Sequence, residues 1–353
     1  MNKKVIVGMS GGVDSSVAAY ILKNKGYEVI GVTMKIWQND DGDENGCYAE
    51  SAINDAKIVC ETLGIAHEVV DFKNSFKCKV IDYFIEEYLD GRTPNPCIVC
   101  NSSVKWVGLS EKASQIGADF IATGHYARII KNQSGRFTLQ KSATKAKDQT
   151  YALYRLTQEQ LSKTLMPVGD FTKDEIREMA KNINLKIAEK KDSQEICFIP
   201  DHDYGKFIRE NTDRKIVGGN FVDIDGNVLG KHKGISFYTI GQRKGLGMSF
   251  AQPMYVKKIN PETGDVTLTT DDDLFTKKLI IKDVNFMGLE NLLKEEKVLG
   301  KIRYAHKESL CKIKMSGDFL ECEFEEPQRA VTPGQAAVFY EDDRILCGGT
   351  IVI

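Results

Sequence analysis

The sequence predicts an α/β chain: a parallel sheet with helices on both faces, followed by two small β-rich domains, the last barrel-like. Three observations predict it. Apolar strand-like runs at 4–9, 28–34, 66–71 and 118–122 alternate with helical patterns at 14–25, 49–63, 74–89 and 103–116. A Gly/Ser loop, Ser10-Gly11-Gly12-Val13-Asp14-Ser15-Ser16, joins the first strand to the first helix. After about Asn211 the chain turns to short β-type runs, such as 221–224, 254–256, 266–268 and 337–340. Turn signals Asp225-Gly226-Asn227, Pro261-Glu262-Thr263-Gly264 and Pro333-Gly334 separate them. The expected domains are 1–210, 211–273 and 274–353, with Asp271-Asp272-Asp273 at the second division.

The first strand, Val5-Ile6-Val7-Gly8-Met9, runs into the Gly/Ser loop. Gly11 and Gly12 allow a sharp turn and close approach to a ligand. Free amides at the following helix N-terminus point at negative charge. Hydroxyls of Ser10, Ser15 and Ser16 add donors, and Asp14 is expected to hold magnesium or orient the loop. A P-loop would need a lysine here, and none lies between Ser10 and Ala19. The heptad instead resembles the PP-loop of ATP pyrophosphatases, which cleave ATP between the α- and β-phosphates. Ligands of parallel sheets sit at the carboxyl ends of strands. Met34, ending the second strand, and Gly124-His125, following the fourth, are placed at that edge. A hairpin is expected from Ala127 to Gln140, turning at Asn132-Gln133-Ser134-Gly135. Thr157-x-x-Gln160 and Thr172-x-x-Glu175 read as capping boxes that open further helices.

Composition narrows the function classes. Apolar residues make up 42% and charged residues 28% of 353, which describes a globular chain. Basic and acidic residues number 48 and 50, so only the charge distribution bears on nucleic acid. Residues 228–258 carry Lys231, Lys233, Arg243, Lys244, Lys257 and Lys258, with no Asp or Glu. Phe237, Tyr238, Phe250 and Tyr255 are interleaved, a pattern that suits RNA as well as an ordinary sheet face. No apolar run reaches membrane-spanning length. The first strand starts too early for a signal peptide, and nine scattered cysteines fit a reducing cytoplasm.

Thr93-Pro94-Asn95-Pro96-Cys97-Ile98-Val99-Cys100-Asn101 carries the second chemical signal. Its prolines predict an extended loop delivering two thiols to a helix start. A helix N-terminus favours the thiolate, so a catalytic thiol is the preferred reading. Zinc lacks a second C-x-x-C, a thioredoxin-like pair lacks its surroundings, and an iron–sulfur site with a third cysteine stays open. Ile196-Cys197-Phe198 supplies that further thiol.

The combination resembles the bacterial tRNA-specific 2-thiouridylases, the MnmA/TrmU family. The resemblance spans the chain. It rests on 8–15, Thr93 to Pro96, Cys100-Asn101, Ala122 to Tyr126, Lys147-Asp148-Gln149, Ile196-Cys197-Phe198, Thr239 to Arg243, Arg303-Tyr304 and Pro333-Gly334-Gln335. It implies a PP-loop, adenine nucleotide alpha hydrolase-like catalytic domain and a sulfurtransferase activity. ATP, with magnesium, would lie against Gly8, Met9, Ser10, Gly11, Gly12, Val13, Asp14, Ser15, Met34 and Gly124. It would adenylate the 2-oxo group of the wobble uridine, position 34, of tRNA. Cys197 would carry sulfur as a persulfide received from a cysteine desulfurase or relay protein, and Cys100 would be the nucleophile. A Cys100–Cys197 disulfide would result. Asn95, Pro96 and Cys97 would line the target base; Lys147, Asp148, Gln149, Arg303, Tyr304, His125 and Gln335 would face tRNA. The implied tRNAs are those for lysine, glutamate and glutamine. Two departures touch single RNA contacts: Ser102-Ser103-Val104-Lys105-Trp106 after Asn101, and Ala305-His306 after Tyr304. The alternatives are a PP-loop synthetase adenylating a small molecule, an iron–sulfur-dependent thiolation, and an RNA-binding protein without activity.

Overall fold

A computed structural model describes residues 2–36, 50–185, 187–188, 190, 196–199 and 201–352. Residue 49, where the second helix is expected to begin, lies outside these residues. The described chain divides into two compact units: 1–80 with 97–202 and 343–346, and 81–96 with 203–342 and 347–353.

The first unit is the alternating α/β part. Strand β1 (Lys4–Gly8) leads into helix α1 (Val13–Asn24), then β2 (Glu28–Lys35), helix α2 (Glu50–Leu63) and β3 (Ala66–Asp71). Strand β4 (Phe120–Ala122), the hairpin β5 (Ala127–Lys131) and β6 (Phe137–Lys141), and the short β7 (Thr164–Leu165) follow. The sheet order is β3-β2-β1-β4-β7. Its pairings are parallel, with Val5 opposite Val29 on one side and Phe120 on the other. The four expected strands are present; β7, two residues long, is too short for a periodic signal. Val5, Ile6 and Val7 have no exposed surface, as a central parallel strand covered on both faces requires. Val17, Ala18, Ile21 and Leu22 of α1 pack into the same core.

The helix expected at 103–116 starts earlier. Pro96 begins it, a position where a missing N–H costs nothing. A π turn at Asn101–Lys105 joins Pro96–Cys100 to Trp106–Ile116. The extended loop therefore ends at Asn95, and both thiols lie in the helix's first turns. The stretch expected at 74–89 is likewise helical, with a π turn at Lys77–Ile81. Such turns leave no mark in hydrophobic periodicity.

The second unit holds two β structures. Strands β8 (Gly219–Val222), β9 (Val228–His232), β10 (Tyr255–Ile259) and β11 (Val266–Thr269) form a sheet in the order β10-β11-β8-β9. Phe221, Tyr238, Val256, Val266 and Leu268 fill its core. Strands β12 (Phe275–Phe286), β13 (Glu296–Lys301), β14 (Ser309–Ser316), β15 (Phe319–Arg329), β16 (Ala336–Glu341) and β17 (Arg344–Ile351) follow. β12 pairs with both β15 and β17, which closes six strands into a barrel. Closure removes the exposed edges that an open sheet would leave.

Candidate active site

Residues 9–12 turn the chain from β1 into α1. Gly11 has φ +67°, and a Cβ there would lie 2.3 Å from the Ala52 carbonyl oxygen. Gly12 caps α1 in extended conformation and has no side chain to occupy the leading amides. Ser10 N donates to Ser15 Oγ at 3.2 Å, and Ser16 Oγ donates to Gly12 O at 2.9 Å. These contacts stiffen a helix N-terminus suited to an anion. The loop after β4 backs it: a Cβ at Gly124 would stand 2.5 Å from Ser15 N and 2.6 Å from the Asp14 carbonyl carbon. Gly124→Ala is thus expected to displace α1's first turn. Thermal unfolding should show a loss of about 2 kcal/mol, with weaker ATP binding in a titration. Met9, Val13 and Met34 are buried around this turn and strand end.

The Asp14 carboxylate is held by two side chains. Lys173 Nζ donates to both of its oxygens, at 2.8 and 2.9 Å, and Tyr126 Oη donates to Oδ1 at 2.7 Å. The arrangement fits loop orientation, one of the two sequence roles for Asp14. The Thr172 capping box is formed and sets Lys173 in the first turn of Lys173–Asn182, a helix that packs on α1. Lys190 adds a second cation, donating to Gly11 O at 3.2 Å and pairing with Asp55 at 2.7 Å. Sequence reading missed Lys173, Lys190 and Tyr126 as site residues. The capping box located the helix, but nothing local disclosed its partner 159 residues away.

Tyr126 is also tied to the Lys147-Asp148-Gln149 motif. Tyr126 N donates to Gln149 Oε1 and Gln149 N to Tyr126 O, both at 2.9 Å. Asp148 is buried, accepting from Ser142 N at 3.1 Å and Thr150 Oγ1 at 2.6 Å. Asp148 and Gln149, expected at tRNA, shape their own loop here; Lys147 keeps partial exposure. His125, expected to select tRNA, sits against the Trp106 ring at 5.4 Å and shares a 2.9 Å hydrogen bond between Nδ1 and Thr123 Oγ1. Burial, with the Lys105 charge second, pulls its pKa down to about 3. The ring is neutral at pH 7. Its contribution is fully present above the unfolded value near 6.5 and is lost as pH falls from there toward 3. At pH 5 the loss should be about 2 kcal/mol, and His125→Asn should flatten melting between pH 7 and 5.

The thiols differ in exposure. Cys97 is exposed, Cys100 is buried and Cys197 is half-buried, and all three stand as thiols. Phe198 beside Cys197 is buried edge-on to Phe76, with ring centroids 5.7 Å apart. Among the described residues, no three His, Cys, Asp or Glu side chains are gathered to hold a metal. Cys97, Cys100 and Cys197 therefore do not fit the three-cysteine cluster.

The second unit carries the remaining expected residues. Pro94 and Pro96 are buried and Asn95 half-buried. Thr93 N donates to Pro333 O at 2.9 Å, and Gln335 Nε2 donates to Thr93 O at 2.8 Å. Arg303 is committed to the barrel, donating through one guanidinium nitrogen to Ala330 O and to Thr332 Oγ1. Tyr304 is 45% exposed, with Lys301 Nζ 5.7 Å above its ring. An exposed ring beside a cation is a surface on which a base can stack. The basic stretch includes a loop lining a cavity of about 600 Å³ from Arg243 to Met254.

Three family models match the chain. The tRNA methyl transferase HUP domain covers residues 3–201, the tRNA methyl transferase PRC-barrel domain 205–270, and the aminomethyltransferase beta-barrel domain 276–351. The tRNA-specific 2-thiouridylase MnmA of Lachnoclostridium phytofermentans is 58% identical over 99% of both chains. That of Clostridioides difficile is 54% identical over 99% of this chain and 98% of its own. A solved 4-thiouridine synthetase–RNA complex with bound ATP is similar over 56% of this chain and 45% of that one, at 19% identity and a TM-score of 0.36. No described helix is long and apolar enough to cross a membrane.

Proposed function

The chain belongs to the tRNA-specific 2-thiouridylase family, and from that premise we propose that it exchanges the 2-oxygen of the wobble uridine of tRNA for sulfur. The family models carry methyl transferase in their descriptions. Methyl transfer needs neither a cradle for ATP cleavage nor paired thiols, so thiolation accounts for more of this chain. The observation that carries the reading is one unit holding both the Gly124-backed cradle at α1 and the Cys100 and Cys197 thiols. A small-molecule synthetase would use the first and leave the second unexplained.

In the proposed reaction, uridine O2 attacks the ATP α-phosphorus and pyrophosphate leaves. The α1 amides and Ser10 hold the leaving phosphates, where donors fixed in advance count most. Magnesium arrives with ATP, and Asp14, paired with Lys173, orients the loop. Cys197 carries a terminal sulfur as a persulfide from a cysteine desulfurase or relay protein. The Cys100 thiolate attacks the Cys197 sulfur and frees the terminal sulfur, which adds at C2 and expels AMP. The resulting Cys100–Cys197 disulfide takes two electrons from a thiol reductant before the next turnover. Uridine leaves its stack to reach the site, with Asn95, Pro96 and Cys97 around it.

We assign tRNA contacts to Lys147 and Tyr304 and to the 228–258 stretch, and the tRNAs to those for lysine, glutamate and glutamine. The division at 1–210, 211–273 and 274–353 is supported by the matched ranges 3–201, 205–270 and 276–351. A cytoplasmic setting follows from the tRNA substrate and the reduced thiols the cycle needs. The test is stoichiometry. Purified protein with unmodified tRNA, magnesium ATP and a sulfur donor should form AMP, pyrophosphate and 2-thiouridine one to one. AMP formed on a small molecule without tRNA would favour the synthetase.

A further inference from the structure

The proposed cycle ends on a disulfide that an outside reductant reaches poorly. Cys100 is 5% exposed. Cys197 is half-buried, and its neighbour Phe198 packs edge-on against Phe76. Thiol–disulfide exchange needs a thiolate in line with the sulfur it attacks, so burial slows it. A third thiol stands where that obstacle is absent. Cys97 is exposed and lies three residues before Cys100 on the same helix. That helix opens at Pro96 and runs on through the π turn to Ile116. Residues three apart on a helix share a face, with Cβ atoms about 5–6 Å apart. A disulfide needs about 3.5–4.5 Å. A first turn, whose leading amides stand outside the hydrogen-bond ladder, can make that closure. The same amides favour a thiolate at Cys97 over one at Cys100, a turn deeper.

We infer that Cys97 is the resolving thiol of the cycle, carrying the disulfide from the buried pair to the surface. Its thiolate attacks the Cys100 sulfur. The Cys97–Cys100 bond forms as the Cys100–Cys197 bond breaks, and Cys197 leaves as a thiolate ready for the next sulfur. Cys97 gives up one proton and Cys197 takes one, so the exchange changes neither the charge nor the oxidation level of the protein. An external dithiol then attacks the exposed Cys97 sulfur, is oxidised to its own disulfide, and leaves Cys97 and Cys100 as thiols. Because Cys97 also lines the place of the uridine, the exchange follows release of the thiolated tRNA. The inference rests on the thiouridylase reading for the origin of the first disulfide. The pairing of Cys97 with Cys100 stands apart from it.

One turnover without reductant, stopped by acid and mapped by alkylation and mass spectrometry, tests this. The wild type should yield Cys97–Cys100 alongside Cys100–Cys197, with Cys197 alkylated in the first form. Cys97→Ser should yield Cys100–Cys197 alone. Steady-state thiolation by Cys97→Ser should fall roughly tenfold with a protein dithiol as reductant. The fall should be smaller with dithiothreitol, a compact dithiol that reaches the half-buried Cys197 directly. Cys100–Cys197 as the sole disulfide of the wild type would overturn the inference. So would a loss in Cys97→Ser that is absent or equal with both reductants, since a residue that only lines the base slows both alike. If the wild-type protein forms no 2-thiouridine at all, the proposed function fails. Oxidised dithiothreitol, added without tRNA, then decides the pairing: a Cys97–Cys100 disulfide upholds it, and its absence ends it.

Discussion

Exchanging the Cys197 sulfur for oxygen, Cys197→Ser, is expected to abolish tRNA thiolation, a loss of roughly 10³-fold or more. A serine cannot carry a persulfide. The half-buried setting of Cys197 is consistent with a sulfur that must meet both a donor protein and a buried nucleophile. ATP cleavage should persist in the variant, because the cradle at α1 is built from Gly11, Gly12, Ser10, Ser15 and Gly124 without any thiol. Counting AMP and 2-thiouridine in the same reaction separates the two steps. Full thiolation by Cys197→Ser with a protein sulfur donor would end the persulfide role.

Removing the Lys173 cation should produce the second large effect. Lys173→Met leaves the Asp14 carboxylate, 29% exposed, without the ammonium that now spans both its oxygens. The α1 N-terminus offsets part of that charge. The phosphates of ATP would then approach an unbalanced anion in the first turn of the helix that should receive them. Breaking a pair this enclosed costs about 3 kcal/mol of stability. By the same scale ATP affinity should fall by roughly 10²-fold. Removing both charges in Asp14→Asn/Lys173→Met should restore much of the stability, since it leaves no unpaired ion. Calorimetric titration with ATP and thermal unfolding of the wild type and the two variants measure both quantities. Wild-type ATP affinity in Lys173→Met would show that the pair has no bearing on nucleotide binding.

The alternating sheet was legible because it rests on local patterns. Val5 to Val7, Val29 to Val32 and the helices between them announce a buried parallel sheet through runs of β-branched residues. The Ser10–Ser16 loop was legible because glycine and hydroxyl residues in that order have few other uses. The π turn at Asn101–Lys105 was not, since one extra residue per turn leaves composition untouched. The same limit hid the partners of Asp14 and Thr93. Lys173 lies 159 residues from Asp14 and Gln335 lies 242 residues from Thr93, so each pair exists only once the sheet and the barrel have formed. Motif reading also gave Asp148 and Arg303 outward roles. Burial and hydrogen bonding turn Asp148 into its own loop, and a guanidinium nitrogen of Arg303 toward the barrel backbone.

The most direct measurement is retardation of tRNA on a mercury-containing gel after incubation with the protein, magnesium ATP and a sulfur donor. A retarded band that requires ATP, Cys100 and Cys197 together is the result this account predicts. A band that forms without ATP or survives loss of both thiols would contradict it, and so would no band with folded protein and a verified donor.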